Sequence, residues 1–138
     1  MAVGFGVNFF WFEVGTGDFL HSFFSTIAYR LEDGKWGTRF PFMMRQLYVG
    51  ELKNEDIRFA RLELKWIREG LKAFPPDQVV WDIDDLSKQP PWGDKISSRI
   101  TDLSNYFVTS NGEDLIGMLF EVLEMAQRVG EDVKIVPI

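Results

Sequence analysis

Four aspartates crowd the sixteen residues from Val79 to Asp94, VVWDIDDLSKQPPWGD, at positions 82, 84, 85 and 94. Clustered carboxylates can hold Mg²⁺ and support phosphoryl chemistry. Alternation along an extended chain puts Asp82 and Asp84 on one face and Asp85 on the other, so two ligands could converge where a strand ends. The rest of the sequence supplies no companions for that chemistry. It lacks the G-x-x-x-x-G-K-[ST] phosphate loop, GFGVNF and GTGDFL lack the third glycine of a dinucleotide fingerprint, and no G-x-S-x-G elbow occurs. His21 is the only histidine and there is no cysteine, which removes the usual zinc sites, thiolate nucleophiles, iron–sulfur ligation and disulfides. A metal-dependent hydrolase using Asp82, Asp84 and Asp85 stands as the alternative reading. No cofactor and no resident metal are expected.

The same segment reads better as a recognition element. Pro90 and Pro91 fix their own φ angles and remove two backbone donors, so the loop stays stiff while pairing with nothing. Trp92 follows this brace, and an aromatic side chain held in place can anchor a partner at low entropic cost. The candidate partner-binding residues are therefore Asp82, Asp84, Asp85, Trp92 and Asp94, the acids steering a basic partner and Trp92 either entering its pocket or folding back as a staple.

Charge supports the direction of that steering. The net value of −6 divides into −3 over residues 1–34, +4 over 35–74 and −7 over 75–138. An acidic C-terminal half disfavours direct nucleic-acid binding, although a basic helix face lies between Lys53 and Lys72. No apolar run approaches the roughly 20 residues that span a bilayer, and no basic flank precedes the first apolar run, so no membrane association and a cytoplasmic location are expected. At 138 residues and 46% hydrophobic composition the chain is long enough to bury a core as one domain, residues 1–138. A homo-oligomeric structural protein, its thirteen Phe and five Trp forming a self-interface, stands as a further alternative, and the same aromatics leave room for a homodimer.

These residues must be positioned by an α+β fold. Alternation over residues 3–14 predicts one long strand. Gly15 and Gly17 end it, and Thr16 or Asp18 caps a helix to about Leu31 whose apolar set is Phe19, Leu20, Phe23, Phe24, Ile27, Ala28 and Leu31. A turn-rich stretch, a short helix near 42–49, and a helix capped by Asn54 with an Ile57, Ala60, Leu64, Ile67, Leu71 stripe come next. Strands are predicted at 78–83 and 105–109, a short helix at 96–103, a helix from Ser110 or Asn111 to about Val129, and a terminal strand near 133–136. The sum is about four mainly antiparallel strands packed with about four helices.

The blocks GDFLHSFFSTIAYRLE (17–32), WDIDDLSKQPPWGDKIS (81–97) and ITDLSNYFVTSNGEDL (100–115) together resemble the immunity protein 70 family of bacterial polymorphic toxin systems. The resemblance implies an antitoxin, encoded beside an LXG-type or contact-dependent toxin, that binds and neutralises the toxin's C-terminal domain, often a nuclease. It implies no catalytic residues and assigns no contact positions.

Overall fold

The computed structural model describes residues 1–138. Its four-stranded sheet has the order β2-β1-β4-β3, every neighbouring pair antiparallel, with the helices packed against one face. The α+β expectation holds, and one continuous core joins the sheet to all three α-helices.

The predicted strand over residues 3–14 is instead a hairpin, β1 (Ala2–Val7) and β2 (Phe10–Thr16), turned at Asn8 and Phe9 with Val7 opposite Phe10. Alternation continues through both arms, which is why one strand fitted it. The break comes from Asn8, whose φ of 54° lies in the left-handed region that Asn tolerates better than most residues. β1 pairs with β2 on one side and β4 on the other, and the chains approach so closely at Gly4 that an added Cβ would strike the Phe12 carbonyl and Ile138.

Helix α1 (Gly17–Leu31) begins where Thr16 Oγ1 accepts the Phe19 N–H at 3.1 Å. Six of its seven predicted apolar residues are buried, and Leu31 is half-buried. Beyond it, the carboxylate of Glu32, itself buried, accepts the N–H groups of Gly37, Arg39 and Phe40, each at 2.9 Å, which fixes the turn-rich stretch. The short helix is a π-helical turn, Phe42–Leu47, whose first N–H groups are taken by Glu63.

Helix α2 (Ile57–Leu71) buries all five residues of its predicted stripe and no others. Asn54 does not cap it. A 3₁₀ turn (Asn54–Asp56) leads in, and the Asn54 amide donates to the carbonyls of Ala126 and Glu131 at the far end of α3 (Leu115–Val129). Helix α3 is capped by Asp114 rather than by Ser110 or Asn111, and ends at Gly130 with φ 73°.

Two predicted strands are absent. Residues 78–83 follow a 3₁₀ turn (Pro76–Gln78) and pair with no strand, and 105–109 contribute only an isolated bridge from Val108 to Asp114. The sheet's fourth member is the two-residue β3 (Glu51–Leu52), which lies against β4 (Val133–Pro137). Residues 96–103 form turns and no helix.

Residues 78–83 are held without a neighbouring strand because side chains of α1 bond their backbone. Arg30 donates to the Gln78 carbonyl at 2.9 Å. The Thr26 hydroxyl accepts the Val80 N–H at 3.0 Å and shares its one proton between the carbonyls of Ser22 at 2.8 Å and Val80 at 3.1 Å, and Ser25 accepts the Ile83 N–H at 3.2 Å. The backbone is thus satisfied without a ladder, and Val80 still reaches the interior.

Candidate functional site

The aspartate loop meets α1 at His21. His21 Nε2 lies 3.2 Å from Asp82 Oδ1 and Nδ1 lies 2.7 Å from the Tyr48 hydroxyl, with the Trp36 ring stacked at 6.2 Å. Both polar contacts are satisfied when Tyr48 donates to Nδ1 and Nε2–H donates to Asp82. Burial, and after it the charges of Asp84 and Asp82, raise the Tyr48 pKa, which keeps that hydroxyl protonated and able to donate. Asp82 also accepts the Asp84 N–H at 2.9 Å, and its second oxygen faces Lys88 Nζ at 3.4 Å. The Asp84 N–H foremost, with His21 and Lys88 adding to it, holds Asp82 below the usual carboxylate range.

The further acids diverge. Asp84 is exposed beside Asp82. Asp85 turns away to accept the Ser87 hydroxyl at 2.6 Å and its N–H at 3.1 Å, contacts that lower its pKa. Asp94 is exposed on the rim of a cleft of about 600 Å³ that runs between the loop and Pro75–Val79, floored by Tyr106 and Ile96.

Trp92 folds back. Its Nε1–H donates to the Tyr106 hydroxyl at 2.8 Å, its ring meets Trp81 edge-on at 5.4 Å, and Phe19 lies 6.4 Å away. It remains 37% exposed, so one edge still faces solvent. Leu103 N–H donates to the Phe74 carbonyl and Ser110 N–H to the Val14 carbonyl, tying the segment after the loop to the domain.

Sequence reading joined the aspartates correctly in one respect: Asp82 and Asp84 do converge, though through a turn rather than at a strand end. It missed His21, Tyr48 and Trp36 as their partners. The available signal was the polar run of α1, where His21, Ser22, Ser25, Thr26 and Arg30 interrupt an otherwise apolar helix.

Donor atoms of His21, Asp82 and Asp84 all lie within 4.8 Å of one another, so these three could take a divalent cation. Asp82 is already engaged by His21, Lys88 and the Asp84 N–H, and three side chains are fewer than the six ligands a Mg²⁺ site requires, the remainder falling to water. Tyr48, with its raised pKa, is a poor nucleophile. The arrangement forms a polar clasp that ties Asp82 to His21, Lys88 and the Asp84 N–H and leaves Asp84, Asp85 and Asp94 exposed.

The fold is a compact α+β domain that presents an acidic loop at its surface. The chain matches the family model described as Immunity protein 70 over residues 5–135, and it belongs to that family. Membership gives it an immunity, or antitoxin, role and implies binding of a cognate toxin. No curated protein and no solved structure matches the chain. No helix is long and apolar enough to cross a membrane.

Proposed function

We propose that this chain neutralises its toxin stoichiometrically, by covering a basic C-terminal nuclease domain in the cytoplasm with the acidic loop around Asp82–Asp94. The observation that carries the reading is the fixed loop, joined to family membership. Residues 77–94 hold five acids and one base, and the clasp on Asp82 and the staple at Trp92 hold their backbone in place. A nuclease cleft must attract phosphate, so a pre-ordered acidic surface complements it and speeds association. In this proposal Asp84, Asp85 and Asp94 meet the toxin, Asp82 and Trp92 set the loop, and the exposed edge of Trp92 lies at the contact.

The test is co-expression with the toxin encoded beside this gene. Copurification at one-to-one stoichiometry, protection of cells, and loss of both when Asp84, Asp85 and Asp94 are replaced by alanine in a folded protein are expected. Unchanged binding and protection in that variant would remove the loop from the interface. The convergence of His21, Asp82 and Asp84 favours a second reading, a metal-dependent hydrolase. Calorimetric titration with Mg²⁺ and Mn²⁺ decides between them, since inhibition by contact requires no binding heat at millimolar metal.

A further inference from the structure

The two edges of the sheet are treated oppositely. Edge strand β3 is two residues long and carries Glu51, ion-paired with Lys53 just beyond it, the usual protection against unwanted strand pairing. Edge strand β2 is seven residues long. Its far end is covered where Ser110 N–H donates to the Val14 carbonyl, but from Phe10 to Glu13 no backbone group bonds to anything except β1. No Lys, Arg or Pro guards this stretch. It carries instead three exposed aromatics at and beside the turn: Phe9 at 83%, Phe10 at 60% and Trp11 at 65% exposure. Trp11 also walls a groove of about 420 Å³ on the sheet face away from the helices, with Gly6 beneath it and Val136 and Ile138 opposite.

We infer that this edge is a self-association surface, on which β2 of a second copy pairs antiparallel across a two-fold axis near Trp11 and extends the sheet to eight strands. Antiparallel pairing of a strand with its own copy is self-complementary, as a two-fold interface requires. Charge selects the occupant. The chain carries a net −6, so two copies repel unless they meet where acids are few. Glu13 is the only acidic residue in the hairpin, and it is engaged by the Ser110 hydroxyl. A basic toxin domain is drawn to the aspartate loop, whereas this edge offers it no charge.

Area sets the strength. An aromatic side chain covers about 150–250 Å² when fully buried, so the exposed parts of these three amount to roughly 400 Å² on each copy. With the strand backbone the interface reaches on the order of 1,000 Å² in total, the lower limit for a specific complex. The dimer is therefore weak and concentration-dependent.

Sedimentation equilibrium of the isolated protein, without toxin, tests this across about 1 to 500 µM, a span that brackets micromolar dissociation constants. The expected result is a rise from the monomer mass of 16.0 kDa towards twice that value, and a fixed monomer mass for Trp11→Lys. Phe9→Lys, at a turn position with almost no packing to lose, guards against a folding defect in the first variant and is expected to weaken the dimer at least tenfold. A wild-type protein that stays monomeric throughout, or a dimer that survives both substitutions, overturns the proposal. So does a monomer whose Trp11→Lys variant alone loses toxin binding, which would assign the edge to a toxin strand. Because the primary readout involves no toxin, it stands or falls separately from the inhibitor reading.

Discussion

At the scale of single residues, Trp92 and Asp82 decide whether the acidic loop has one conformation. Trp92 packs against Trp81, Phe19 and Tyr106 while remaining about a third exposed. Removal of a fully buried large aromatic costs about 3–5 kcal/mol. The exposed edge reduces that to roughly 2–3 kcal/mol for Trp92→Ala, and Trp92→Phe, which loses only the N–H to Tyr106 and some area, is expected to cost about 1–2 kcal/mol. Urea unfolding midpoints check both. Asp82 gives a pH signature. Its folded pKa is depressed, so its stabilising contribution is complete above the ordinary carboxylate range and is lost as pH falls through the folded value. The stability difference between the native protein and Asp82→Asn should therefore be fully present above the carboxylate range and shrink on acidification below about pH 4, as acid and neutral denaturation curves would show. Neither residue's partners were legible in the sequence. His21, Tyr48 and Asp82 are separated by 27 and 61 positions from the histidine outward, and no local pattern announces a contact over such spans.

At the scale of elements, helices α1, α2 and α3 and the terminal strand were legible, whereas the strands expected at 78–83 and 105–109 and the helix expected at 96–103 did not form, for a physical reason. Helices α1, α2 and α3 show their buried faces as i, i+3, i+4 spacing, which needs only local sequence. A run such as Val79–Ile83 has the bulk of a strand, yet what makes an extended segment a strand is a paired neighbour, and here Ser25, Thr26 and Arg30 of α1 take the neighbour's place. β3 is too short to show any period at all. The substitution of helix side chains for a strand is testable. Thr26→Val keeps the shape of the side chain but leaves the Val80 N–H buried without its partner, at about 1–3 kcal/mol. Combined with Ser25→Ala, it is expected to raise amide exchange at Val80 and Ile83 selectively and to loosen the loop that follows, while far-ultraviolet circular dichroism of the helices stays unchanged. If exchange across 78–83 did not change, the account of how α1 supports this segment would be wrong.

At the scale of the whole molecule, charge is unevenly spread. Five of the 21 acids fall within residues 77–94, four bases and two acids lie on α2, and the hairpin carries Glu13 alone. If the loop steers a basic toxin, raising salt from about 50 mM to 500 mM is expected to slow association by an order of magnitude or more while dissociation changes little, since screening acts mainly on encounter. Stopped-flow binding with the toxin domain measures this, and the Asp84→Asn, Asp85→Asn, Asp94→Asn variant should lose most of the salt dependence. Topology adds a constraint in time. Strand β4 lies between β1 and β3, so residues 3–6 pair with 134–137 and the sheet has no centre until those last positions have been synthesised. A nascent chain on the ribosome can form α1 and α2 early, yet it has no closed sheet against which to settle them. Long-range pairing of this kind is slow relative to local structure, so the sheet closes only after the helices have begun to form.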